Sequence, residues 1–73
     1  MKQIIEITTE YIKLDSFLKL CGVAGTGGQA KELVAQGGIL VNGEPCTQRG
    51  RKLRDGYIVS AEGQEFEVKG SEA

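Results

Sequence analysis

The sequence predicts a small α+β domain in which two short helices pack on a hairpin-rich, mainly antiparallel β-sheet. Its 73 residues suffice for one domain with a thin core, so we expect residues 1–73 to fold as a single unit. Apolar residues recur at helical spacing between residues 14 and 34, and they form short β-like segments after residue 38. Eleven glycines against one proline indicate many tight turns between these segments.

One strand and one helix are predicted in the first third of the chain. Residues 3–8 are rich in isoleucine and threonine, which favours a short strand with Ile5 and Ile7 on one face. Apolar residues at positions i, i+3, i+4 and i+7 within residues 14–21 predict the first helix. Gly22 follows this stripe at the place where a helix often ends in a left-handed residue.

The second helix is predicted to begin at a capping box. Thr26 and Gln29 have the spacing of the N-cap and third residue of such a box, and Gly37 marks the helix end. The glycines at 27 and 28 leave the first-turn amides open, so a phosphate could dock there beside Lys31. A capped, flexible turn followed by an exposed lysine is the commoner meaning of this pattern, and the residues alone leave both interpretations open.

The second half of the chain is predicted to contain short strands joined by tight turns. The strands are residues 39–41, 57–61 and 65–68. Asn42-Gly43 is a strong signal for a two-residue hairpin. Pro45 belongs on an edge strand, because it cannot donate a hydrogen bond to a neighbouring strand. Residues 49–54 (RGRKLR) are predicted to be a basic loop, and residues 71–73 a frayed tail.

Several functions are excluded by what the composition lacks. The sequence has no histidine, so it cannot supply the usual general base or a Ser-His-Asp triad, and we expect no enzymatic activity. Cys21 and Cys46 do not form a CxxC pair, so we expect no metal site and no cofactor. Residues 1–9 lack the long apolar stretch of a signal peptide, and no apolar run is long enough to span a membrane. These features favour a cytoplasmic monomer with reduced thiols.

The charges are unevenly distributed along the chain. A formal net charge of −1 argues against a nucleic-acid-binding protein. Residues 11–54, however, hold seven basic and three acidic side chains, a charge of +4, whereas residues 55–73 have a charge of −4. A basic region of this size suits a phosphate backbone. A solvated loop beside an unrelated acidic strand explains the same counts, and both interpretations stay open.

The basic segment RGRKLR is the strongest single candidate for phosphate binding. Three arginines and a lysine in six residues suit bidentate and point-charge contacts with phosphate groups, although a solubilising loop has a similar composition. Tyr11 and Tyr57 are candidates for stacking on a base, although such residues more often close the rim of a core.

The order of motifs between residues 13 and 61 resembles the RNA-binding domain named after ribosomal protein S4, also called the αL motif. Matching residues are Lys13-Leu14-Asp15, Leu18, Gly22, Thr26, Gln29-Ala30-Lys31, Gly37, Val41-Asn42-Gly43 and Arg54-Asp55-Gly56. The chain is most similar to the short, free-standing bacterial members of this family. The resemblance implies an αL-type fold with its core at about residues 13–61.

The resemblance also implies a set of RNA-contacting residues. They are Lys13, Thr26, Gln29, Lys31, Arg49, Arg51, Lys52 and Arg54. Two positions depart from the family pattern. Gly27 stands where many members have arginine, and Lys13 replaces a common arginine, which exchanges a bidentate contact for a point charge.

These observations lead to the hypothesis of a non-catalytic RNA-binding protein. Its expected partners are structured RNA, with ribosomal RNA as the class, and ribosomal particles. Its expected role is in ribosome assembly or quality control. The alternative is a protein-interaction adaptor that accepts a partner strand at the edge of the acidic hairpin formed by residues 57–69.

Overall fold

The computed structural model describes residues 2–70, in which two helices and seven strands alternate with tight turns. The helices are α1 (Leu14–Leu20) and α2 (Gly27–Ala35). The strands are β1 (Lys2–Glu6), β2 (Ile12–Lys13), β3 (Ile39–Val41), β4 (Glu44–Pro45), β5 (Lys52–Leu53), β6 (Ile58–Ala61) and β7 (Gln64–Lys69). The predicted tail at residues 71–73 lies outside the described residues.

Five strands form one sheet in the order β1-β7-β6-β3-β4, and β2 and β5 form a separate two-stranded ribbon. Strand β1 runs parallel to β7, whereas all the other pairs in the sheet are antiparallel. The predicted α+β class with a mainly antiparallel sheet is therefore confirmed. The sheet is mixed because the first strand pairs with the last one, which no local pattern in the sequence indicates.

The hydrophobic core lies between the two helices and one face of the sheet. Phe17 of α1 meets Phe66 of β7 edge-to-face, with ring centroids 6.4 Å apart and an angle of 81° between their planes. Both rings are fully buried. Leu14 and Leu18 on α1 and Val34 on α2 complete the predicted helical stripes on the core side. Helices of seven and nine residues are too short to be stable alone, so both are stabilised by packing of their apolar faces against the core.

The predicted helix ends are confirmed by the backbone. The Thr26 hydroxyl oxygen accepts a hydrogen bond of 3.2 Å from the backbone amide of Gln29, as a capping box requires. The Gln29 side-chain oxygen accepts a hydrogen bond of 2.6 Å from the amide of Gly25, one residue before the Thr26 amide that the reciprocal bond of a capping box uses. Gly22 (φ 84°) and Gly37 (φ 77°) adopt the left-handed conformation just beyond α1 and α2.

The predicted hairpin at Asn42-Gly43 is also confirmed. Both residues have positive φ, 52° and 84°, as a type I′ turn requires, and the turn joins β3 to β4. The Asn42 side-chain oxygen accepts a hydrogen bond of 2.9 Å from the amide of Ile58, which ties the turn to β6. Pro45 lies on β4 at the edge of the sheet, where its missing amide proton has no strand to serve.

Two sequence-based expectations about strands are wrong. Residues 49–54 do not form a continuous loop, because Lys52–Leu53 pairs with Ile12–Lys13 as an antiparallel ribbon. A two-residue strand is too short to show alternation, and the burial of Leu53 becomes evident only in three dimensions. The acidic hairpin does not offer a free edge either, because β7 pairs with both β1 and β6, and β6 pairs with both β7 and β3.

The structure also describes the two thiols, and residues 2–70 bear on whether the chain forms a metal site or a membrane-spanning helix. Both cysteines are free thiols, and burial raises the pKa of Cys21, so its thiol stays protonated near neutral pH. Among residues 2–70, no three His, Cys, Asp or Glu side chains come together as a metal site would require. No helix in this part of the chain has the length and apolar character needed to cross a membrane.

Candidate nucleic-acid interface

The ribbon formed by β2 and β5 separates apolar from basic side chains. Its register pairs Ile12 with Leu53 and Lys13 with Lys52. Because neighbouring residues of a strand point to opposite faces, each pair occupies one face of the ribbon. Leu53 is fully buried and Ile12 packs against the core, whereas both lysines are exposed. The apolar face of the ribbon therefore packs on the core and holds the opposite, basic face toward solvent.

The basic segment is also fixed to the beginning of α1. Lys13 is the N-cap of this helix, but no side chain caps it. Instead, the amide of Leu14 donates to the carbonyl of Arg51 at 2.9 Å, and the amide of Asp15 donates to the carbonyl of Arg49 at 3.0 Å. These bonds satisfy two amides that a helix start leaves without a partner. The backbones of Arg49 and Arg51 are therefore fixed to the start of α1, while the Arg49 side chain is exposed and that of Arg51 is partly buried.

Five basic residues lie on this ribbon or in the segment bonded to α1, and we call them the cationic ribbon. They are Lys13, Arg49, Arg51, Lys52 and Arg54. Arg51 is partly buried and the other four are exposed. Within residues 2–70, the only ion pair joins Lys2 to Glu67 at 2.9 Å, far along the chain from this cluster. None of the five basic side chains therefore forms an ion pair with a carboxylate in the described part of the protein.

The two tyrosines occupy different environments. Tyr57 packs against the hydrophobic core, which agrees with its interpretation as a rim residue. Tyr11 precedes β2, and its ring faces two cations of the cationic ribbon. The Lys52 Nζ atom lies 4.8 Å from the ring centroid, and the Arg54 guanidinium carbon lies 5.6 Å from it. Both distances are within the range of a cation–π interaction.

The remaining candidates lie at the beginning of α2. Thr26 and Gln29 use their side chains to cap the helix and to bind the amide of Gly25, whereas Lys31 is exposed. Among residues 2–70, no hydrogen bond or ion pair joins this group to the cationic ribbon. The eight predicted residues therefore form two groups, and the cationic ribbon is the larger.

Sequence reasoning missed the roles of Leu53 as an anchor and Tyr11 as the neighbour of two cations. A signal was present in the spacing. Tyr11 and Lys13 are two residues apart, as are Lys52 and Arg54, so each pair shares a strand face. The signal becomes useful only when the two segments are known to pair.

Lys13→Gln is expected to stabilise the protein. Lys13 stands directly opposite Lys52 and at a helix N-terminus, and both neighbours disfavour positive charge. The free energy of unfolding should rise by about 0.2–1 kcal/mol at low salt and by less at high salt. Urea denaturation measures this change. Lys31→Gln removes an exposed lysine that has no opposing cation and lies beyond the first turn of α2, so it should raise the free energy of unfolding by less. An equal gain in both variants would contradict the explanation.

Comparison with known proteins identifies the class to which this fold and its basic ribbon belong. The chain belongs to the S4 domain family, whose pattern matches residues 5–69, and the predicted resemblance is thereby confirmed. The chain is also similar to a protein of Bacillus subtilis (strain 168) named "Probable ribosome maturation protein RlbA". The two are 49% identical over 59 residues, which cover 81% of this chain and 83% of the relative.

Proposed function

We propose that this protein binds structured RNA without catalysing a reaction, and that it acts in ribosome maturation. The observation that carries the proposal is the cationic ribbon, in which five basic residues lie on the β2–β5 ribbon or in the segment bonded to α1, without an ion-pair partner among residues 2–70. Like charges placed side by side destabilise a fold. A surface of this kind is best explained by a polyanion that neutralises it when bound.

The residue types of the cationic ribbon support docking on the phosphate backbone. Arg49, Arg51 and Arg54 have planar guanidinium groups suited to bidentate phosphate contacts, and Lys13 and Lys52 supply point charges. Because no base-reading groove or pocket is needed for such contacts, recognition would rest on the shape of a folded RNA. In this proposal α1, α2 and the ribbon together act as the αL motif.

A second phosphate is proposed to bind at the beginning of α2. The first-turn amides and Lys31 provide positive potential there, whereas the Thr26 and Gln29 side chains hold the helix start in shape. Contacts by these two side chains to RNA would have to use atoms that the capping bonds leave available. The α2 start is therefore the weaker of the two proposed contact regions.

The ribosomal role rests on family and relative together. Membership of the S4 domain family supports RNA as the ligand, and the name of the Bacillus relative supports ribosome maturation as the process. Ribosomal RNA, in free or particle-bound form, is accordingly the proposed partner. The acidic residues 55–70 would repel RNA from other parts of the surface, so binding should be confined to the basic side.

Co-sedimentation with purified bacterial ribosomal particles over a salt series tests this function. We expect the protein to pellet with the particles at low salt and to be released steeply as salt increases, because each phosphate contact contributes about one unit to the log–log slope. Binding that did not change with salt would contradict phosphate contacts. A protein that failed to pellet at every salt concentration would contradict the ribosomal role.

A further inference from the structure

Tyr11 is placed between the core and the cationic ribbon without belonging fully to either. It is partly buried, but it is not among the partly buried hydrophobic residues that pack against the core. Its carbonyl oxygen accepts a hydrogen bond of 2.6 Å from the hydroxyl of Thr9, which supports the backbone at the entry to β2. Its ring therefore has a defined position beside the cationic ribbon, and packing against the core does not explain that position.

The register of the ribbon shows why the ring meets two cations. Extending the register by one residue beyond the Ile12–Leu53 pair places Tyr11 opposite Arg54. Lys52, which pairs with Lys13, then lies diagonally across from Tyr11. Side chains at these neighbouring and diagonal positions are within reach of an aromatic ring. The measured distances of 4.8 Å to Lys52 and 5.6 Å to Arg54 agree with this arrangement.

We propose that Tyr11 is a positioning residue of the RNA interface, whose ring holds Lys52 and Arg54 in place over the exposed face of the ribbon. This inference rests on the proposed function and adds to it a residue without charge. Lysine and arginine side chains lose much rotamer freedom when they bind a ligand. A ring that already restricts them lowers this loss, so the bound state is favoured without any contact between the ring and the RNA.

The ring, and not its hydroxyl group, is the part that attracts a cation. Tyr11→Phe keeps the ring and should therefore keep the effect, whereas Tyr11→Leu removes the ring but retains an apolar side chain. The pair separates the loss of the aromatic surface from the loss of an apolar side chain. Thermal unfolding of both variants, followed by circular dichroism, establishes that each is folded at the temperature of the binding measurements.

The decisive experiment is a double-mutant cycle with a fluorescent RNA hairpin as the probe. Tyr11→Leu should weaken binding about threefold to tenfold, and Tyr11→Phe should change it by less than about twofold. In the background of Lys52→Gln with Arg54→Gln, Tyr11→Leu should have no further effect, because the cations that the ring holds are gone. An equal loss of affinity in both backgrounds would overturn the proposal, since the ring would then contact the RNA directly. No loss of affinity in either background would also overturn it.

A measurement without RNA distinguishes failure of this inference from failure of the proposed function. The methylene protons of Lys52 and Arg54 nearest the ring should show upfield-shifted NMR signals in the wild-type protein and in Tyr11→Phe, and normal positions in Tyr11→Leu. Normal positions in the wild-type protein would overturn the positioning role alone. If the signals were shifted upfield but the protein did not bind the hairpin at any of the salt concentrations, the proposed function would be overturned. The positioning role in RNA binding would be overturned with it.

Discussion

Reversing two charges of the cationic ribbon, by Arg51→Glu together with Lys52→Glu, is expected to weaken RNA binding about a hundredfold at low salt. Each of the two side chains would lose a charge-assisted contact worth about 1.5 kcal/mol or more. The carboxylates would then repel the phosphates that remain nearby. The backbone carbonyl of Arg51 would still accept its bond from Leu14, so the start of α1 should remain intact. Fluorescence anisotropy with the RNA hairpin measures the loss.

The salt dependence provides a second, independent reading of the same variant. Removing two phosphate contacts should lower the log–log salt slope by about two units on a duplex region. The matched control is Lys19→Glu with Lys69→Glu, which changes the net charge by the same amount but alters no residue of the cationic ribbon. If the control lost as much affinity and slope, overall charge would explain binding, and the cationic ribbon would not be the interface.

Leu53→Ala is expected to destabilise the protein by about 2–5 kcal/mol and to abolish RNA binding as the ribbon detaches. Leu53 is fully buried, and its side chain is the anchor between two exposed basic residues. Removing most of that side chain leaves a cavity under β5, and a chain of this size has little stability to lose. Urea denaturation followed by circular dichroism measures the change in the free energy of unfolding.

Leu53→Met is the control for this effect. Methionine has a similar volume and a flexible side chain, so the cost should remain below about 1.5 kcal/mol and RNA binding should persist. Measurements of RNA affinity at a temperature where both variants are folded would separate loss of the anchor from global unfolding. A Leu53→Ala protein that is as stable as the wild type would show that the ribbon does not depend on this residue.

Local features of the fold were predictable because adjacent residues determine them. The capping box at Thr26 and Gln29 and the turn at Asn42-Gly43 each require particular residue types within a few positions of one another. The helical stripes depend only on the spacing of apolar residues. Family membership was also predictable, since the order of these local motifs is itself distinctive.

Pairing between distant segments was not predictable from these patterns. Ile12–Lys13 and Lys52–Leu53 are two-residue strands about 40 positions apart, and neither is long enough to show a period of two. The parallel pairing of β1 with β7 depends on the whole sheet. The predicted contact residues were found from composition and resemblance, and their roles in RNA binding remain predictions. The position of Lys52 and Arg54 beside the Tyr11 ring became evident only from the fold.

The parallel pairing of β1 with β7 has a consequence for how the protein forms during synthesis. Among residues 2–70, β1 is the first strand to be made and its partner β7 is the last, and β7 also lies between β1 and β6. The early strand must therefore wait without a partner until almost the entire domain has left the ribosomal exit tunnel. Closing so long a loop slows folding. The helices and the β3–β4 hairpin can form during translation, whereas the complete sheet can form only after β7 has emerged.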